Sequence, residues 1–219
     1  MEYIQKFIPE GWKNTVRDYS IDELKEIYEQ GTIIEGLVNK CDENYNLQII
    51  LGKNIIGIIP RNEIDILSSD DFGMTKPSIC QNKVNQVVQF KVKEIYDENR
   101  ILLSRKESEK DALNWVKNDL KEGSIVDGIV KNIRKFGVFV DIGGGVIGLL
   151  HIEDISISRI KSPEERFSVG QKIKVMIKSI DSENNRIVLS HKELLGNWND
   201  NIKDFQEKTV VERYCKRGR

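Results

Sequence analysis

The chain carries one pattern twice, and this constrains its fold more than any other feature. GTIIEGLV at Gly31 to Val38 returns as GSIVDGIV at Gly123 to Val130, and VNQVVQFKVKEIYDENRILLSRKE, ending at Glu107, returns as VGQKIKVMIKSIDSENNRIVLSHKE, ending at Glu193. A unit repeated at this spacing reads as two copies of one small domain. DFQEKTVVERYCK at Asp204 to Lys216 echoes DLKEGSIVDGIVK at Asp119 to Lys131, so residues 195–219 read as the start of a third repeat without its remainder. The remaining pieces are an N-terminal extension with a short helix at 1–30, a first copy at 31–107, a linker at 108–122 and a second copy at 123–194.

Within the second copy, Val138, Val140 and Ile142 alternate with Phe139 and Asp141, the period-two pattern of a strand with one buried face. Gly143, Gly144 and Gly145 end that strand with the positive φ angles of a hairpin turn, and Val146 to Leu150 resumes the apolar run. Ser162, Pro163 and Glu165 cap one helical turn, and Lys172 to Ile180 with Arg186 to Ser190 form a closing hairpin. Five short strands with a helical turn between the third and fourth fit a five-stranded OB barrel. The fold expected is therefore mainly β, with two tandem OB barrels, a short N-terminal helix and a helical linker. Ser20 with Glu23 makes a capping box for a helix over Ile21 to Gln30, stopped by Gly31. Ser108 to Lys121 reads as a linker helix packing against one or both barrels, with Trp115 and Trp198 each covering a barrel end.

Composition narrows the function. Charged residues at 32% and hydrophobic ones at 39% describe a globular protein with a wet surface. No basic segment leads into an apolar run at the start, and no stretch approaches the ~20 apolar residues of a membrane span, so a cytoplasmic protein is expected. Cys41, Cys80 and Cys215 are odd in number and lack CxxC spacing, which indicates neither a disulfide framework nor a zinc site. His151 and His191 do not complete a familiar metal or catalytic set, His151-Ile152-Glu153 lacks a PCxxC partner, and neither a GxxxxGK[ST] loop nor a GxSxG elbow occurs. No enzyme, metal, cofactor or small-molecule substrate is expected. Residues 1–30 carry 4 basic and 7 acidic side chains, whereas the second copy carries 11 and 9, which directs the search for a polyanion site to the second copy.

There, alternation points Phe139 outward between inward Val138 and Val140, Phe136 precedes Gly137, and Lys131, Arg134 and Lys135 come just before. An exposed aromatic pair offers base stacking worth about 1–3 kcal/mol per base, and the cations offer phosphate contacts that weaken with salt. Ordinary alternatives exist for each residue: core packing for the phenylalanines, a polar strand end for His151, a hairpin ion pair for Asp181 and Arg186, a solvated edge for the basic run. The stretch GSIVDGIVKNIRKFGVFVDIGGGVIGLLHIEDIS, Gly123 to Ser156, with Asp181, Arg186, Leu189 and Ser190, closely resembles the S1 RNA-binding domain family. That resemblance implies an OB barrel binding single-stranded RNA through Phe136, Phe139, His151, Asp181 and Arg186. Glu153 departs from the family, which commonly has Ser there.

The first copy keeps the barrel positions and loses the face. Aligned on Gly52 with Gly143, Tyr45 replaces Phe136, Gln48 replaces Phe139, Pro60 replaces His151, and Ile50 takes the outward position of Asp141. Tyr45, Asp97 and Arg100 survive as weak contacts, while Ile50 adds apolar surface suited to a protein partner. The expectation is a single-stranded RNA binder acting in translation or on the small (30S) ribosomal subunit, with a protein-interaction or ribosome-docking module as the alternative.

Overall fold

The computed structural model describes residues 2–13, 17–53, 55–66, 73–97 and 100–195. The first copy closes a five-stranded barrel from β2 (Ile34–Cys41), β3 (Leu47–Gly52), β4 (Ile55–Ile59), β5 (Val87–Asp97) and β6 (Arg100–Ser104), in the order β2-β3-β4-β6-β5. The second repeats it with β7 (Ser124–Arg134), β8 (Gly137–Asp141), β9 (Ile147–His151), β10 (Lys172–Asp181) and β11 (Arg186–Ser190), closed by the β7–β8 pairing. In both, the last strand runs parallel to the third, Gly57 opposite Ile101 and Leu149 opposite Val188. The first strand of each barrel is bulged at the same repeat position, Val38/Lys40 and Val130/Asn132, which bends it enough to pair on both sides. Inward residues alternate as the sequence predicts: Leu47, Ile49 and Leu51 in one barrel and Val138, Val140 and Ile142 in the other are fully buried.

The helix α1 (Ile21–Gln30) has its capping box, Glu23 N–H on Ser20 Oγ and Ser20 N–H on Glu23 Oε2 (2.8 Å), and ends at left-handed Gly31. It buries Leu24 and Ile27 in the first barrel's core. A 3-10 turn follows the third strand of both barrels, Arg61–Glu63 and Ile152–Asp154; a short helix α2 (Pro77–Asn82) then precedes β5, where the second barrel has the 3-10 turn Pro163–Glu165. Ser162 caps the latter turn by accepting from Glu164 N–H.

Two expectations are corrected. The linker helix α3 runs Arg105–Asp119, three residues earlier at its start than the Ser108 expected, because Ser104 Oγ accepts from Glu107 N–H (3.0 Å) and caps it directly after β6. Its Leu113, Trp115 and Val116 join the second barrel's core, with Trp115 2% exposed and tilted against Phe7 at 5.6 Å. Its Asp111 pairs with Lys91 of the first barrel at 2.5 Å. Asp141 does not face solvent as the alternation predicts; it is fully buried, because residues 2–13 lie across it. That segment begins as β1 (Glu2–Tyr3), parallel to β7 with Glu2 opposite Ser124 and Tyr3 opposite Ile125. Trp198 and the rest of the tail from residue 196 lie outside the described residues.

Candidate nucleic-acid interface

On the second barrel, Phe139 sits mid-strand in β8 and is half-buried on the outer face. Phe136 stands in the β7–β8 turn at 50% exposure, its carbonyl fixed by Ile152 N–H at 2.9 Å. The two rings meet edge to face at 6.1 Å. This geometry leaves the Phe136 ring largely open to a stacking partner. His151 ends β9 directly opposite Gly137, and Leu149 lies opposite Phe139. A side chain at Gly137 would crowd the Leu150 carbonyl (2.6 Å) and the His151 backbone (3.1 Å), so glycine keeps the strands close where the rings and imidazole converge.

The structure thus brings Phe136, Phe139 and His151 together. Asp181 and Arg186 face each other as the last register pair of the β10–β11 hairpin, both exposed. They connect to the aromatic face through the β9–β11 pairing, in which Val188 lies beside Leu149. Asp181 also organises the hairpin turn, accepting from Asn184 Nδ2 (2.8 Å) and from the backbone N–H groups of Glu183 and Asn184 (3.1 Å each). Those hydrogen bonds, led by the Asn184 side chain, hold its carboxyl below the ordinary aspartate range. Glu153 Oε2 lies 3.7 Å from His151 Nδ1, so the residue that departs from the family pattern sits against the imidazole.

The three cations divide. Arg134 and Lys135 are exposed beside Phe136. Lys131 turns the other way: its Nζ donates to the Glu10 carbonyl at 3.0 Å and lies 3.7 Å from Asp141. Its charge serves the contact with the N-terminal segment.

The corresponding face of the first barrel is built differently. Tyr45 adopts a left-handed φ of 64°, packs against the barrel core and lies under the Arg61 guanidinium at 5.4 Å. Gln48 lies opposite Ile58, where the second barrel has Phe139 opposite Leu149. Ile50 and Ile56 face each other at 39% and 45% exposure. Asp97 and Arg100 pair across the β5–β6 hairpin, with Nε to Oδ2 at 3.3 Å. Beside them stands Tyr96, which sequence reasoning passed over: a bulge between Ile95 and Asp97 turns it out to 61% exposure. It has no counterpart in the second copy, where Ile180 and Asp181 pair in direct succession at the positions of Ile95 and Asp97.

Sequence reasoning also missed a buried ionic cluster between the barrels. Arg105, 1% exposed, binds Glu10 through Nε (2.8 Å) and Nη2 (3.2 Å), and its Nη1 reaches the Ile64 carbonyl (3.0 Å), Glu109 (3.4 Å) and Asp65 (3.7 Å). Burial pushes the Glu109 carboxyl up to about 7 against the pull of Arg105, and burial with the neighbouring Glu10 charge pushes Asp141 up to about 6. Glu10 itself is held well below its usual range, because the cations Arg105 and Lys83 outweigh its burial. Among the described residues no group of three or more His, Cys, Asp or Glu side chains is placed to hold a metal, and no helix is long and apolar enough to cross a membrane.

Comparison with known proteins places this geometry. Residues 119–192 match the S1 RNA binding domain. Over 205 residues the chain is 37% identical to the small ribosomal subunit protein bS1 of Staphylococcus aureus (strain COL), covering 90% of this chain and 49% of that protein. It is also 32% identical over 205 residues to a 4-hydroxy-3-methylbut-2-enyl diphosphate reductase of Clostridium acetobutylicum, covering 91% of this chain and 30% of that protein. The chain therefore spans about half the length, or less, of these relatives. The solution structure of GSP13 from Bacillus subtilis aligns with 46% of this chain and 88% of its own at 19% identity, with a TM-score of 0.34.

Proposed function

The second barrel is a member of the S1 RNA-binding domain family, and from that premise we propose that the protein is a non-enzymatic, sequence-tolerant binder of single-stranded RNA. The observation that carries this reading is the outward ring pair, Phe136 half exposed and edge to face with Phe139, set beside His151 and the free cations Arg134 and Lys135. Exposed rings next to cations suit a ligand whose bases are unpaired and whose backbone is charged, whatever its sequence. Asp181 and Arg186 extend the contact along the closing hairpin, and Lys131 supports it indirectly by holding the N-terminal segment. The small ribosomal subunit is the proposed setting, by kinship with bS1, and the cytoplasm the proposed compartment. The partial match to a reductase is the length of an S1 repeat pair, and the proposed activity needs no catalytic group.

Within this division of labour, the first barrel (31–107) docks or supports and the second (123–194) reads RNA. Tyr45, Asp97 and Arg100 supply at most weak RNA contacts, since Tyr45 is covered by Arg61 and Gln48 replaces the central ring. The exposed Ile50 and Ile56 pair favours a protein partner for that face.

The test is fluorescence anisotropy of a short labelled single-stranded RNA at two salt concentrations. The intact chain binds, more weakly at the higher salt; Phe139→Ala and the Phe136→Ala/His151→Ala pair lose affinity while staying folded. Equal binding by folded variants and wild type would refute the assignment.

A further inference from the structure

We propose that residues 2–13 form an intramolecular strap that locks the two barrels into one rigid body, with Glu10 as the residue that closes it. Covalent linkage through α3 alone would leave two small barrels free to reorient, the default for neighbouring domains without a large interface. The strap changes that because its backbone is held by the second barrel while the Glu10 carboxylate is held by the first barrel and the linker helix.

Its first half belongs to the second barrel. β1 pairs with β7, Ile4 N–H donates to the Ile125 carbonyl (3.0 Å), and Gln5 accepts from Asp127 N–H (2.8 Å) while donating to the Ile142 carbonyl (3.1 Å). Gly144 N–H then reaches the Ile8 carbonyl (3.0 Å). Glu10, 2% exposed, is where the barrels meet. Its backbone is held by the second barrel, N–H to Asp141 Oδ2 (3.0 Å) and carbonyl from Lys131 Nζ (3.0 Å). Its carboxylate is held from the other side, by Gln89 N–H of β5 (3.1 Å), Lys83 (3.7 Å) and the Arg105 guanidinium at the start of α3. One residue thus bridges both barrels and the linker helix.

The glycine triplet of the second barrel closes the joint from the far side. A Cβ at Gly143 would run into the Phe7 carbonyl, at Gly144 into the Ala112 side chain and at Gly145 into the Arg105 guanidinium, and all three φ angles are positive. The turn is therefore shaped to the strap, the helix and the buried cation at once. Within the joint, Glu10, Glu109, Asp65 and Asp141 face Arg105, Lys83 and Lys131. Charges buried together in this way are tolerated only as a set, since removing one leaves its partners uncompensated in a low dielectric. That makes the joint closed or open, without a continuum between. In the reading above, which this consequence rests on, the lock holds the RNA reader at a fixed distance and angle from the docking barrel.

The lock is testable without RNA, so its failure is distinguishable from failure of the RNA reading. Backbone 15N relaxation on the full chain gives a rotational correlation time for each barrel separately. The wild type has one value shared by both barrels. Glu10→Ala, which opens the joint from the strap, and Gly145→Ala, which wedges it from the opposite turn, each give two shorter and unequal values, with the β5 and β10 amide signals still in place. Two independent approaches guard against one variant failing to fold. Unequal correlation times in the wild type, or a folded variant of either kind that keeps a single value, would overturn the proposal.

Discussion

The two barrels share every position that closes the fold and few that meet the outside. Val38 and Val130 lie at the same bulge, Ile49 and Val140 at the same buried register, and Gly57 and Gly148 at the same crossing with the last strand. On the outer face the pairs diverge: Phe139 against Gln48, His151 against Pro60, buried Asp141 against exposed Ile50. Closure fixes inward volume to within a methylene or so, whereas an outward side chain answers only to its partner. A repeat therefore preserves the scaffold and frees the face, and the places where the copies differ are the places to look for separate tasks.

The comparison can be broken most forcefully at Arg105, whose counterpart in the second copy is the half-buried His191, edge to face with Phe167. Replacing Arg105 by Leu strands Glu10, Glu109 and Asp65 in the interior and should cost about 3–5 kcal/mol in urea denaturation. His191→Leu, which loses one contact to the Lys174 carbonyl and strands no buried charge, should cost about 1 kcal/mol or less. Next comes the face itself. Phe139→Ala should weaken RNA binding by about 1–3 kcal/mol in an anisotropy titration, while Gln48→Ala at the matching position of the first barrel leaves it unchanged.

A third effect concerns pH. Asp141, pushed up to about 6, and Glu109, pushed up to about 7, bind protons in the folded state over a range where the unfolded chain has already released them. Their contribution to stability is full below the unfolded values near 4 and is lost as pH rises through 6 to 7. Glu10 and Asp154, both shifted down, act in the opposite sense and only in stronger acid. The melting temperature should accordingly be higher at pH 5 than at pH 8, by the equivalent of about 4 kcal/mol at most; Asp141→Asn should reduce the difference, and adding Glu109→Gln should flatten it. The smallest effect separates the cations. Removing Arg134 and Lys135 together should lower the slope of log affinity against log salt by about 1.4, whereas Lys131→Ala should leave the slope and lower the melting temperature.

Much of this was legible in the sequence, and for a reason. Strand alternation reports burial by the barrel itself, so Val138, Val140 and Ile142 were readable one by one, and the Ser20-Glu23 box and Gly31 fixed α1 through purely local bonds. Asp141 was misread because alternation knows nothing of a segment some 130 residues away that covers the outside of the strand. The early start of α3 was readable in Ser104-x-x-Glu107, a capping signal that the repeat boundary at Glu107 obscured. The ionic joint had a fainter sign: Arg105 stands where the other copy has His191, a difference away from the RNA face and so without a role until the strap supplied one. Lys131 looked like a phosphate contact because sequence places it beside Arg134 and Lys135 but cannot say which way a side chain turns at a bulge.

The most direct test of the central claim sets one barrel against the other in a single experiment. Amide chemical-shift changes are followed across the full 15N-labelled chain as an unlabelled single-stranded RNA oligomer is added. The account predicts perturbations centred on Phe136 to Phe139, His151 and the Asp181 and Arg186 hairpin, with Gln48, Ile50 and Ile56 of the first barrel unmoved. Perturbations centred on the first barrel, or spread evenly over both, would contradict it.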